Sequence, residues 1–334
     1  MTQPLTWVIG AGGLLGSHLT RALQAQRGRT MVKKIPWHDP EAARSALREG
    51  ISHLIRGADG AAWNIAWCAG VGVVATKADP LKVETSMFTA FLRDLADHAQ
   101  PGGAFFFASS AGGAYAGSPS PRPYTEHSTP RALAPYGVEK LVMEAELRQF
   151  ASATGTATLI GRIANLYGPG QDLSKGQGMV SQLCLSHVTR QPAIVYVSLD
   201  TLRDYIFAAD CADMVAAGLG GVREYVANQA SPVVTKIFAS GHAHTIGALI
   251  AESARVFHHR PPVVVKAPSA PGQARDLRLR SVEWLDLDRH VRTPMAVGMA
   301  ATGRHVARES WAHRGPRAPL RWSPTATDYP PSRN

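Results

Sequence analysis

Between residues 5 and 163, short apolar runs alternate with stretches whose apolar positions recur at helical spacing, and this alternation constrains the fold more than any other feature. Strands that alternate with helices pair in parallel across crossovers, so a parallel sheet covered by helices is expected. Strands are read at Leu5–Ile9, Thr30–Lys33, Trp63–Trp67, Ala104–Ala108 and Ala157–Ile163, with helices at Leu14–Gln26, Glu41–Leu54, Leu81–His98 and Tyr136–Ala151. Beyond Tyr167 the order is irregular. Helices near Met179–Arg190 and Asp210–Leu219, a strand at Ile194–Val197, and segments at Val233–Ala239 and Ile246–His258 suggest a smaller lobe.

Gly10-Ala11-Gly12-Gly13-Leu14-Leu15-Gly16 joins the first strand to the first helix. Glycines there allow a tight turn and close backbone approach to a pyrophosphate, which then faces the helix N-terminus. The apolar face Leu15, Leu19, Ala22 and Leu23 follows directly. The expectation is a Rossmann-type doubly wound parallel sheet with a smaller C-terminal α/β substrate lobe, binding a dinucleotide at Gly10, Gly13, Leu14, Leu15 and Gly16; the plainer alternative is a tight strand-to-helix turn. Residues 1–166 form the dinucleotide-binding domain, with a returning segment around 200–240. Residues 167–312 supply the substrate lobe, and 313–334 a flexible tail rich in proline and arginine.

Folds of this kind that prefer a cofactor without a 2′-phosphate place an acid about twenty residues further on. Here that region reads Arg29-Thr30-Met31-Val32-Lys33-Lys34. Lys33 and Lys34 would attract a 2′-phosphate, which favours NADP(H) over NAD(H); the alternative is a solvated strand end.

Tyr136 and Lys140 stand four apart near the start of a helix, on one face. An unperturbed tyrosine, with a pKa of about 10, is a poor base near neutrality. A neighbouring ammonium and the helix N-terminus both favour its phenolate. The alternative is a surface pair on an amphipathic helix.

With 334 residues, 45% of them hydrophobic, the chain can bury a substantial core. The Leu5–Ile9 run is too short for a membrane span and lacks a basic leader, so a cytoplasmic protein without membrane partners is expected. Cys68, Cys184 and Cys211 read as reduced buried thiols, and the dispersed histidines suggest no metal. The net charge is +10, and from Arg255 onward fourteen Lys/Arg face six Asp/Glu. These bases lie among prolines and alanines without aromatic interleaving, which argues against nucleic acid and leaves room for an anionic substrate.

From about Trp7 to Arg308 the chain resembles the extended short-chain dehydrogenase/reductases, also called the NAD-dependent epimerase/dehydratase family. The resemblance rests on the spacing of Gly10, Gly13 and Gly16, on Cys68-Ala69-Gly70, on Phe107-Ala108-Ser109-Ser110 and on Pro135-Tyr136-Gly137-Val138-Glu139-Lys140. The stretches Gly161–Gly170 and Leu202–Asp210 add to it. It implies a bound nicotinamide cofactor and, most often, a sugar nucleotide. Tyr136 would exchange a proton with the substrate, Ser110 would hydrogen-bond the reacting oxygen with Ser109 in reserve, and Lys140 would hold the cofactor ribose. Cys68, Ala69, Gly70, Ser109 and Ile163 would contact the cofactor as well. Asn165, Arg203 and Arg278 would face the substrate, although Arg203 and Asp204 could instead form a structural ion pair. A homodimer packed through the helices near Leu81–His98 and Tyr136–Ala151 is also implied.

The chain departs from that pattern in three places. The segment between Lys34 and Trp63 is short for the usual strand with its acidic adenine contact; Ser86 stands where asparagine is common; and the serine loop Ser110–Tyr115 is one residue longer than in many epimerases. Counting back from Tyr115 would select Ala111 in place of Ser110. The apparent NADP preference tilts the reading towards a keto-sugar reductase, with an epimerase that retains its cofactor as the alternative. A dehydratase fits less well, since Thr-Asp-Glu is absent around Ser109-Ser110. A non-catalytic NADP-binding sensor or scaffold is the alternative of another class.

Overall fold

The structure is a computed structural model and describes residues 3–70, 72, 78–98, 101–119, 121–175, 178–266 and 274–312; the expected tail at 313–334 lies outside them. The first half runs β1 (Leu5–Ile9), α1 (Leu14–Ala25), β2 (Arg29–Met31), α2 (Pro40–Ala58), β3 (Trp63–Trp67), α3 (Ala78–Ala96), β4 (Gly103–Ser110), a short α4 (Ala111–Tyr115), α5 (Pro135–Thr154) and β5 (Ala157–Ile163). The second half continues β6 (Asn165–Tyr167), α6 (Met179–Thr189), β7 (Ala193–Val195), β8 (Leu202–Phe207), α7 (Ala208–Ala227), β9 (Val233–Phe238), β10 (Ala243–Thr245), α8 (Ile246–Phe257), β11 (Val263–Val265), β12 (Asp276–Leu277) and α9 (Met295–Ala312).

Six strands pair in the order β2-β1-β3-β4-β5-β9, every pair parallel. The chain leaves β1 to one side for β2 and then crosses back to β3 on the other. Open α/β sheets bind ligands at such a reversal, beyond the C-terminal strand ends. Among the described residues β2 is the edge of this sheet, so one strand alone lies outside β1. It also stops at Met31, two residues short of the expected end. Its register covers only Leu5–Trp7 of β1, and Lys33 lies past the ladder.

The sheet is buried on both faces because successive side chains alternate. Trp7, Ile9, Trp67, Phe105 and Phe107 point to the side covered by α2, α3 and α5. Val8, Ala66, Phe106 and Leu159 point to the side covered by α1 and α7. Local signals place the helices: Asp39 accepts from the amides of Glu41 and Ala42 at 3.1 Å to cap α2, and Pro135 opens α5.

The second lobe has its own core of α6, α8 and α9 side chains around Tyr167 and Tyr205. A small sheet, β10-β8-β12 with β6 beside β8, ties this lobe to the main body, since β8 runs directly into α7. No helix among the described residues is long and apolar enough to cross a membrane.

Phe105 is fully buried, with ring centroids 6.2 Å from Phe88 and 6.4 Å from both Phe91 and Phe150. Phe105→Ala is expected to cost about 3–5 kcal/mol in urea unfolding, through lost burial and the cavity left behind. A loss under about 1 kcal/mol would contradict this packing.

Candidate functional site

The glycine turn is built by contact. Gly10 has φ +87°, and a Cβ there would come within 2.6 Å of the Ala69 amide nitrogen. A Cβ on Gly16 would lie 2.2 Å from the Gly10 carbonyl oxygen. Only glycine lets β1, α1 and the end of β3 approach so closely. No side chain caps the first turn of α1, so its leading amides keep their capacity for an anion. Cys68, next to this contact, is a half-buried thiol whose pKa burial pushes up to about 12, which disfavours its thiolate.

The two candidate serines differ in what they bind. Ser109 points into the body of the protein and donates to Glu144 Oε1 at 2.6 Å. Glu144 is gripped in turn by Arg162, through Nε at 3.0 Å and Nη2 at 2.7 Å, while Arg162 Nη1 donates to the Tyr115 hydroxyl at 2.7 Å. Burial opposes the charge of Arg162, yet its bonds to Glu144 outweigh that and raise its pKa above the usual arginine value. Ser110 is half-buried, and its Oγ accepts the Gly113 amide at 3.0 Å as the cap of α4. Its own proton remains available to donate.

α5 carries Tyr136 and Lys140 to this place. A Cβ on Gly137 would lie 2.2 Å from the Gly113 carbonyl oxygen, so glycine lets the first turn of α5 press against the serine loop. The Lys140 ammonium lies 5.9 Å from the Tyr136 ring centroid and 5.2 Å from that of Phe107. Its charge is matched by Glu84 Oε1 at 3.2 Å, a partner on α3 that the sequence reading missed. The signal was present: Leu81, Glu84, Thr85 and Phe88 follow helical spacing, so Glu84 is an acid within an inward stripe. Glu144 sits likewise among Lys140, Met143 and Leu147.

Ser110, Tyr136 and Lys140 line a cavity of about 500 Å³ that also includes Asn165 and Arg203. Cys68, Ala69, Gly70, Ser109, Leu15 and Ile163 reach it too. A second cavity, of about 370 Å³, is mostly apolar and shares the Cys68–Gly70 wall. Gly10 and Gly13 floor it, and Trp37, Pro40, Trp67 and Met87 enclose it. Trp37, another residue the sequence reading passed over, is 40% exposed and stands edge-on to Trp67 at 6.2 Å.

Other expected residues are placed differently. Lys33 Nζ lies 2.9 Å from Glu49 Oε2, which compensates its charge, while Lys34 is exposed. Arg278 lies outside the lining of the large cavity. Its guanidinium is bound by Asp276, two residues earlier, through contacts of 2.9–3.1 Å. Arg203 and Asp204 do not pair. Arg203 donates to the Leu202 carbonyl at 2.8 Å, and burial lowers its pKa. Asn165 donates to the Asp204 carbonyl at 2.8 Å.

A model of the NAD dependent epimerase/dehydratase family matches residues 6–229. Over 96 residues the chain is 33% identical to dTDP-L-rhamnose 4-epimerase of Burkholderia thailandensis, a stretch covering 28% of this chain and 26% of that protein. Its matches to the first curated relatives span only 26% and 39% of their lengths. Among solved structures, UDP-glucose 4-epimerase of Thermus thermophilus in complex with NAD has a TM-score of 0.74 at 20% identity, over 90% of this chain and 98% of that one. RMD of Pseudomonas aeruginosa complexed with NADPH has a TM-score of 0.73 at 20% identity, over 92% and 100%. At that identity the likeness is one of fold.

The Asp204 carboxyl is buried on β8 and accepts from the Ser240 amide at 2.8 Å and its hydroxyl at 3.0 Å. Burial raises its pKa from 3.8 to about 6, against the pull of the Ser240 bonds. The folded protein therefore holds this proton more tightly than the unfolded chain. The associated stability is fully present below about pH 4 and is lost as pH rises through about 6. Relative to Asp204→Asn, the wild type should lose about 2–3 kcal/mol in urea unfolding between these pH values. A parallel pH dependence in the two proteins would contradict the burial of this carboxyl.

Proposed function

Since the chain belongs to the NAD dependent epimerase/dehydratase family, we propose that it is an enzyme that binds a nicotinamide dinucleotide and inverts a carbinol centre of a sugar nucleotide, retaining the cofactor between turnovers. The observation that carries this is the meeting of Ser110, Tyr136 and Lys140 with Asn165 and Arg203 around one cavity. The glycine cradle and the adjoining apolar cavity fit the cofactor. Gly10, Gly13 and the open first turn of α1 would hold the pyrophosphate, Trp37 and Trp67 would wall the adenine, and Lys140 would hold the nicotinamide ribose. When bound, the nicotinamide supplies the acceptor and donor of the hydride.

The chain's own residues manage the proton and the geometry. Tyr136 takes the proton from the sugar hydroxyl and returns it, acting in turn as general base and general acid. Ser110 donates to the same oxygen, stabilising charge as it develops. Asn165 on β6 and Arg203 on β8 face the substrate, and the half-buried guanidinium suits a diphosphate. In this reading the main sheet, with β9 returning to it, holds the cofactor, and residues 167–312 mainly hold the sugar nucleotide.

The epimerase reading replaces the tilt towards a reductase because Lys33, one of the two cations behind an NADP preference, is engaged by Glu49. Exposed Lys34 and the NADPH-bound neighbour support the reductase as a second reading. A homodimer in the cytoplasm remains part of the proposal, with Val138 and Val142 exposed on α5 as its contact.

The test is incubation with a panel of nucleoside diphosphate hexoses without added cofactor, followed by NMR of the sugar ring. The epimerase reading expects inversion at one ring carbon with no net cofactor consumption. Stoichiometric NADPH oxidation with a keto-sugar nucleotide would select the reductase, and neither activity would overturn the enzymatic reading. Tyr136→Phe should lower turnover by about a thousandfold or more while leaving cofactor affinity within about twofold. Unchanged turnover would remove Tyr136 from its role.

A further inference from the structure

We propose that Glu84 is a positioning residue for Lys140, holding its ammonium at the junction of the two cavities so that its remaining N–H groups face the ribose of a bound nicotinamide nucleotide. This rests on the hydride-transfer reading above and adds to it a residue from α3. The ground is geometric. Glu84 Oε1 lies 3.2 Å from Lys140 Nζ, its Oε2 accepts the Gly72 amide at 3.3 Å, and the two side chains are only 13% and 6% exposed. Glu84 lines the apolar cavity beside Gly10, whereas Lys140 lines the large cavity beside Tyr136. The ammonium thus has a carboxylate on one side and the reaction site on the other.

A lysine carries three donors on a flexible stem, so an ion pair that engages one donor restricts where the others point. The ring faces of Phe107 and Tyr136 flank the same ammonium. One residue along each helix, the Thr85 hydroxyl donates to Glu139 at 2.6 Å, so α3 and α5 are clasped by two adjacent polar pairs. Burying an ion pair between helices is a poor source of stability, because apolar side chains of similar volume commonly serve as well or better. The carboxylate is therefore better accounted for by its effect on Lys140. Ser86, on the same helix at the position where asparagine is common, is exposed and does not provide this contact; Glu84 does.

The test is a double-mutant cycle read by NADH binding, followed through the fluorescence of the nucleotide on protein freed of any that copurifies. Lys140→Met should weaken NADH about tenfold, and Glu84→Met about threefold to tenfold. In the Lys140→Met background, Glu84→Met should add less than about a twofold change, because its effect passes through the lysine. Glu84→Gln keeps an acceptor for the ammonium and should restore most of the affinity. Thermal melts check folding; if Glu84→Met does not fold, Glu84→Gln takes its place in the cycle, with about a twofold to threefold loss expected only when Lys140 is present. Equal weakening in both backgrounds, or none in either, would overturn the proposal and leave the Lys140 assignment standing. An unchanged affinity in Lys140→Met alone would overturn both the proposal and that assignment.

Discussion

The site depends on burial of the parallel sheet on both faces. With α2, α3 and α5 on one side and α1 and α7 on the other, the helices take up the sheet's two faces. The C-terminal strand ends are left to meet a ligand, and the reversal between β1 and β3 parts the crossovers there. Gly10 meets Ala69 at that point. Tyr136 and Ser110 come to it because α5 and β4 share one aromatic core, in which Phe105 and Phe107 pack with Met143 and Leu147. A change in that core would move Tyr136 and Ser110 without touching either residue.

Around this frame, buried charge is compensated in place. Glu144 binds Ser109 and Arg162, while Glu84 binds Lys140. Taking charges out of water costs several kcal/mol per ion, so such groups persist in proteins when they are paired and hydrogen-bonded. The first network draws Ser109 inward and leaves Ser110 as the half-buried hydroxyl beside the cavity. The second sets the direction of the lysine. Both glutamates are thus supporting groups, Glu144 behind Ser109 and Glu84 behind Lys140.

Much of the frame was legible in the sequence because it is written in local periodicities. The short apolar runs Trp63–Trp67 and Ala157–Ile163 marked those strands to the residue, and the glycine spacing marked the turn. The end of β2 was misjudged because Val32 and Lys33 extend an apolar, basic pattern, whereas the ladder ends at Met31 opposite Trp7 although β1 runs on to Ile9. Long-range pairings were not legible. Glu84 with Lys140, Lys33 with Glu49 and the aromatic wall at Trp37 each join segments whose approach is set by tertiary packing, and Arg278 found its partner in Asp276. An acid inside an inward helical stripe was the one local trace of the first.

In the proposed reaction, the cavity at Tyr136 supports direct hydride exchange between a sugar carbon and a nicotinamide. The most direct measurement follows deuterium placed on the reacting carbon of a sugar nucleotide that the protein converts. Direct exchange puts deuterium on the nicotinamide ring of the protein-bound cofactor during turnover and returns it to the sugar in the inverted product. Exchange of that deuterium with solvent, with none reaching the nicotinamide, would contradict it.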